Sequence, residues 1–268
     1  MNLSIDPVGN DAPRAHGDAR DRGKTVEAAD LFFDRIYATD LCYIPDCWKL
    51  CGDGHCCNYS RYKKQFALIG KKHFQETPLL PGELEYMERR GYLAQFGDYD
   101  VRTIEFPIAC GTIKYQAIIS HREGCACEHA IRPTMCRLHP LFPIFDAHGA
   151  VQGVEHGGIY EDIERIGALV AACKVQSIPV PEINAFIGLS AHIGANPIAA
   201  FHMEAFRITK TMAADAIRAS TEKSGLSPLR AFEILILRSR LLDPAALRVK
   251  LNALAEGFIA CHGAAFFF

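Results

Sequence analysis

The 268-residue sequence lacks several features that define large classes of protein. It has no uninterrupted apolar run of about 18 residues, which a membrane-spanning helix needs. Its first residues, MNLSIDPVGNDAPRAHGDARDRGK, contain no apolar core of the kind found in signal peptides. We therefore expect a cytoplasmic protein that has no membrane partner.

An excess of charge of one sign is missing too. The 29 Lys and Arg residues almost balance the 31 Asp and Glu residues, so the formal net charge is −2. This balance disfavours a nucleic-acid partner. The sequence also has neither a Gly-rich phosphate loop nor a Gly-x-Ser-x-Gly elbow, so ATP-dependent and ordinary hydrolase activities have no support.

Cysteine, in contrast, is abundant and clustered. Eight of the 11 cysteines lie in two short segments, CYIPDCWKLCGDGHCC and CACEHAIRPTMC. Thiolates this close together repel one another and oxidise unless a cation neutralises them, and in a reducing cytoplasm such clusters are more often metal ligands or redox-active thiols than disulfides. The candidate metal ligands are Cys42, Cys47, Cys51, Cys56, Cys57, Cys125, Cys127 and Cys136.

The spacing of these cysteines leaves the cofactor open. No C-x-x-C pair occurs, which disfavours an ordinary zinc finger. An iron–sulfur cluster or iron is the first cofactor prediction, and zinc is the alternative. A cluster with one non-cysteine ligand would take His55 or His129. Two interpretations of the cysteines without a metal also remain. They are redox-active thiols, with Cys125 and Cys127 as the reactive pair, or a group of buried cysteines that bind nothing.

Residues 42–143 resemble the YkgJ-type cysteine-cluster family, whose members are described as zinc- or iron-chelating domains. Cys47, Cys51 and the pair Cys56-Cys57 correspond to the family's opening C-x-x-C-x-x-C-C, although the spacing here is x3 and x4. Residues 132–137, RPTMCR, correspond to its RPxxCR signature. The chain also distantly resembles flagellin lysine N-methylases. That second resemblance implies an iron–sulfur cluster.

Metal binding by these cysteines is compatible with two roles. The first is a metalloenzyme, or an accessory modifying enzyme, whose substrate the sequence does not identify. The second is a non-catalytic protein in which zinc organises an interaction surface. A structural zinc needs only four ligands, so eight candidates favour the first role.

Other polar residues near the clusters have structural explanations that we favour. Arg132 and Arg137 flank the last cysteine, where they could clamp a carboxylate or phosphate. We expect them instead to neutralise thiolate charge or to hold loop carbonyl groups. His139 is expected to be an ordinary loop histidine rather than a ligand. Outside the clusters, Cys173 and Cys261 lie in helical patterns and are expected in the core.

The predicted fold class is α+β. We expect a mobile tail at 1–24, a small Cys-rich metal-binding domain with a β-hairpin at 25–158, and a mostly helical region at 159–268. The hairpin is predicted at 101–108 and 112–119, where it would bring the second cysteine segment back to the first.

Helix-start signals are clear at three places. A helix is predicted to begin near Pro81 and to stop at Gly91. Two amphipathic helices are predicted after Ser227 and Asp243, because each of these capping residues precedes a proline. The pattern of Leu31, Ile36 and their neighbours predicts a further helix from Thr25.

Overall fold

The computed structural model describes residues 19–43, 66, 75–121, 128–167, 175 and 177–263. Among these residues, antiparallel strands up to His156 are followed by a part that is mostly helical, so the α+β class is confirmed. In chain order the elements are α1 (Ala19–Ala38), β1 (Gln75–Leu79), α2 (Glu83–Arg89), β2 (Tyr99–Ile108), β3 (Gly111–Ser120), α3 (Thr134–Leu138), β4 (Leu141–Phe145), β5 (Val151–His156), α4 (Ile159–Ile166), α5 (Val180–Gly194), α6 (Pro197–Ser224), α7 (Pro228–Leu237) and α8 (Pro244–His262).

The predicted β-hairpin is present and is slightly longer than predicted. Strands β2 and β3 pair antiparallel from Tyr99 opposite Ser120 to Ile108 opposite Gly111. Strand β1 pairs with the other side of β3, so the sheet order is β1-β3-β2. Strand β1 includes Pro78, which has no backbone N–H to donate. An edge strand tolerates this because it has a neighbouring strand on one side only.

A second hairpin, β4–β5, was not predicted from the sequence. Leu141 pairs with His156, and a tight turn at Asp146 joins the strands. Strand β4 contains Pro143 and β5 contains Gly153, two residue types that are depleted in strands. Local propensity therefore gave little indication of this hairpin.

The helix-start predictions are confirmed. Ser227 and Asp243 cap α7 and α8, and the Asp243 side chain accepts hydrogen bonds from the first N–H groups of α8. Helix α2 begins at Glu83, and the backbone takes a left-handed conformation at Gly91 soon after it ends. Helix α1 begins at Ala19, whereas the apolar pattern indicated a start at Thr25.

The core draws on both halves of the chain. Ile36 of α1, Ile118 of β3 and Phe258 of α8 are fully buried in one apolar cluster. Leu31 of α1 lies outside this core, with 65% of its surface exposed. The division of the chain at residue 158 stays a prediction.

No helix in the described ranges is both long enough and apolar enough to cross a membrane.

Candidate functional site

The buried side chain of Arg137 connects two distant parts of the chain. It is 1% exposed and donates hydrogen bonds to the carbonyl oxygens of Thr39 (2.9 Å) and Ala130 (2.6 Å). Its guanidinium group also lies over the ring of Tyr37, 4.8 Å from the centroid. Arg137 therefore joins the end of α1 to the loop that leads into α3.

Two further contacts join the same segments. Arg132 donates a hydrogen bond to the carbonyl oxygen of Leu41. The hydroxyl of Tyr43 donates one to the carbonyl oxygen of Leu138 over 2.9 Å. The prediction that these arginines hold loop carbonyl groups is confirmed. Leu41 and Tyr43, on either side of Cys42, are thus hydrogen-bonded to the segment that carries the second cysteine cluster.

The junction contains charged groups of both signs, since Arg137 lies near Arg132 and near the carboxylates of Glu83 and Asp40. Burial, and after it the positive charge of Arg132, lowers the pKa of the Arg137 guanidinium below its ordinary value, whereas the charges of Glu83 and Asp40 act in the opposite direction.

Glu83 fixes the start of α3 from a distance in sequence. Its carboxylate is 0% exposed and accepts hydrogen bonds from the Thr134 backbone N–H (2.7 Å) and hydroxyl (2.6 Å). It also accepts from the Leu80 backbone N–H (2.9 Å) and from the Tyr37 hydroxyl (3.0 Å). Burial raises the pKa of the Glu83 carboxyl, while the hydrogen bonds from Thr134 and Leu80 act in the opposite direction.

Glu83 was not predicted as a site residue. It occupies the first position of a helix, where acidic residues are common, so its sequence context does not distinguish it from a surface carboxylate. Its effect on the site is indirect: it holds the N-terminus of the helix whose third residue is Cys136.

A cavity of about 160 Å³ lies beside Cys136. Cys136, His139 and Glu161 are among the described residues that line it. His139 Nε2 lies 3.6 Å from Glu161 Oε1, so the imidazole and the carboxylate face each other. Glu161, on α4, was not predicted as a site residue either.

Two of the eight predicted ligands, Cys42 and Cys136, fall among the described residues. The backbone N–H of Cys42 donates a hydrogen bond to Glu182 Oε2 over 2.9 Å. The part of the chain that the structure describes contains no group of three or more His, Cys, Asp or Glu residues placed to hold a metal. The other six candidates, Cys47, Cys51, Cys56, Cys57, Cys125 and Cys127, lie outside the described residues.

The donor chemistry of the junction fits a thiolate-bound metal in one respect. Metal–thiolate centres often carry net negative charge, and Arg132 and Arg137 supply positive charge between the two cysteine segments. The histidines near the clusters lie next to carboxylates: His129 Nδ1 is 3.5 Å from Asp40 Oδ1, and His139 faces Glu161. His55 lies outside the described residues.

The two described cysteines outside the clusters, Cys110 and Cys261, lie on other elements of the fold. The expectation that Cys261 lies in the core is wrong, because it is exposed in the last turn of α8, with its sulfur 3.7 Å from His148 Nε2. Cys110 is half-buried at the turn between β2 and β3, and burial raises the pKa of its thiol. Cys173 lies outside the described residues.

Comparison with protein-family models, with curated proteins and with solved structures finds no match to this chain. The cysteine-cluster family therefore stays a prediction that rests on the sequence motif.

Proposed function

We propose that this chain is a cysteine-ligated metalloprotein of the cytoplasm. Its centre would be an iron–sulfur cluster or iron, with zinc as the alternative. The ligands would come from both cysteine segments, 42–57 and 125–136. A centre of this kind supplies redox chemistry if it contains iron and Lewis-acid chemistry if it contains zinc.

One observation carries the proposal. The described residues around Cys42 and those around Cys136 are fastened to each other by Arg132, Arg137 and Tyr43. The two arginines add positive charge where thiolates from the two segments would add negative charge. Such complementarity lowers the cost of burying the guanidinium groups and of ionising the thiols.

A catalytic role is favoured over a purely structural one by the cavity beside Cys136. A structural site is closed by its protein ligands, whereas a catalytic site keeps a position open to a substrate. The cavity gives a small molecule access to the segment that carries Cys136. We therefore propose a metalloenzyme, or an accessory modifying enzyme, in preference to a zinc-stabilised interaction protein.

The test is metal analysis together with an absorption spectrum of protein purified without oxygen. Iron with acid-labile sulfide and broad visible absorption would support an iron–sulfur centre. Colourless protein with stoichiometric zinc would support the alternative cofactor. Protein without metal would contradict the proposal and would favour redox-active thiols.

Single substitutions localise the ligands. Cys57→Ser and Cys136→Ser are expected to lose metal, and Cys261→Ser serves as the matched control because that thiol is exposed on α8. Circular dichroism on each variant checks that α8 and the other helices remain folded. Full metal content in both cluster variants would overturn the ligand assignment.

A further inference from the structure

The cavity beside Cys136 adjoins a larger cavity. This second cavity, of about 570 Å³, shares with it the lining residues Glu76, Pro78, Ile159, Tyr160 and Phe206. Since the same side chains line both spaces, the two are neighbours, and we refer to them together as the cleft. Its larger part is within the range of about 300–1,000 Å³ that is typical of small-molecule sites.

Strands β1 and β2 and helices α4, α6 and α7 contribute to the larger part of the cleft, which we call the chamber. Edge strand β1 forms one wall through Pro78. Helix α6 contributes Phe206, Lys210 and Ala213, which lie on one face of the helix because they are three or four residues apart. Helix α7 contributes Phe232 and Ile236. The walls therefore come from elements that are distant in sequence and that the fold fixes in place.

Aromatic rings give the chamber a firm apolar surface. Phe206 stacks on Phe142, with ring centroids 5.8 Å apart. The rings of Tyr160 and Phe232 meet edge to face at 6.1 Å. Packed rings of this kind keep their orientation, so they offer an apolar ligand a preformed surface.

The charged side chains that line the cleft are paired with each other or with neighbours. Lys210 Nζ lies 2.7 Å from Glu155 Oε1 and donates a hydrogen bond to the carbonyl oxygen of His156. Arg102 Nη1 lies 3.1 Å from Glu76 Oε2. A charged ligand would have to compete with these pairs, whereas an uncharged ligand would leave them intact.

At the end beside Cys136, His139 Nε2 faces Glu161 Oε1 at 3.6 Å. In the chamber, the hydroxyl of Thr209 donates a hydrogen bond to the carbonyl oxygen of Ala205. Because the charged groups of the chamber already have partners within the protein, recognition there would depend on apolar contact and shape.

We propose that this cleft binds an uncharged, largely apolar small molecule, held in the chamber and with one end directed toward Cys136. That the bound end would meet a metal centre rests on the proposed function. The binding site itself rests only on the described residues of the cleft.

The test uses the full-length protein as purified and the neutral fluorophore N-phenyl-1-naphthylamine, whose emission rises in apolar surroundings. Saturable binding is expected. The negatively charged 1-anilinonaphthalene-8-sulfonate should bind at least about tenfold more weakly, because its charge would be buried without a partner. Equal or stronger binding of the charged fluorophore would overturn the assignment to an uncharged ligand.

Two neighbouring residues of α7 provide a matched pair of variants. Ile236 is 37% exposed and lines the chamber, whereas Leu237 is 45% exposed and is not among its lining residues. Ile236→Asp is expected to weaken binding of the neutral fluorophore about tenfold, and Leu237→Asp should change it less than about twofold. Equal effects of the two substitutions would place the fluorophore elsewhere and would overturn the proposal.

Failure of this inference and failure of the proposed function have different signatures. Metal content and fluorophore affinity are measured on the same samples. Saturable binding that is sensitive to Ile236→Asp in a metal-free preparation supports the cleft and contradicts the metal centre. A metal-loaded preparation that does not bind the fluorophore contradicts the cleft alone.

Discussion

Replacing Glu83 should cost more stability than replacing any exposed acidic residue of the same helix. Its carboxylate is fully buried and accepts four hydrogen bonds, from Tyr37, Leu80 and the two donors of Thr134. In Glu83→Ala these donors lose their common acceptor. The hydrogen bonds to a charged acceptor are worth about 1.5–3 kcal/mol each, but much of that gain offsets the cost of burying the carboxylate.

The net effect of Glu83→Ala on the free energy of unfolding is therefore expected to be a loss of roughly 3–5 kcal/mol, the range for removing one partner from a buried charged network. Glu83→Gln keeps the shape of the side chain and can still accept from Thr134. It places its NH₂ group against the Leu80 N–H, however, so it should cost about 1–3 kcal/mol for one unsatisfied buried donor.

The matched control is Glu85→Ala. Glu85 is exposed on the same helix, and its loss should cost less than about 1 kcal/mol, the size of a helix-dipole interaction. Urea unfolding followed by circular dichroism gives the three free energies under identical conditions. If Glu83→Ala were no more destabilising than Glu85→Ala, the proposed role of Glu83 in holding α3 would be wrong.

Two other predictions concern the buried side chain of Arg137 and the half-buried side chain of His202. Arg137→Met should lower the free energy of unfolding by about 2–4 kcal/mol, since it removes the two hydrogen bonds that the buried guanidinium group donates to backbone carbonyl groups. Arg218→Met should cost less than about 0.5 kcal/mol, because that arginine is 54% exposed. Burial lowers the pKa of the His202 ring below its ordinary value of 6.5, so the unfolded chain binds more protons there as the pH falls. The free energy of unfolding should therefore decrease as the pH falls from about 6.5 to the lowered pKa of the folded protein. His202→Gln should remove that decrease. Urea titrations of both proteins across this pH range measure the difference. Identical pH profiles would contradict the assignment of this dependence to His202.

The elements predicted well were those with strong local signals. The β2–β3 hairpin alternates β-branched and aromatic residues around Cys110-Gly111, and the starts of α7 and α8 carry a capping residue followed by proline. The β4–β5 hairpin has no such signal, because Pro143 and Gly153 interrupt it. It forms where tertiary contacts support it: Glu204 of α6 accepts a hydrogen bond from the backbone N–H of Phe145 over 2.7 Å.

Orientation of side chains was harder to predict than the elements themselves. Leu31 is one of the apolar residues whose spacing predicted α1, and the helix is present, yet this side chain is exposed. Cys261 was expected in the core, yet it lies in the exposed last turn of α8. Which face of a helix is covered depends on the neighbouring elements, and a single helix does not specify those neighbours.

The sequence by itself determined the cysteine clusters, the hairpin that precedes the second cluster, and the helical character of the chain after about residue 158. These features depend on residue type and on short spacings. Tertiary structure alone decided that Glu83 holds the start of α3, that Arg132 and Arg137 join that region to the residues around Cys42, and that a cleft begins beside Cys136. These hydrogen bonds join residues about 50 or more positions apart, and the cleft is formed by several separate elements. Such pairings follow from how the elements pack rather than from any local pattern.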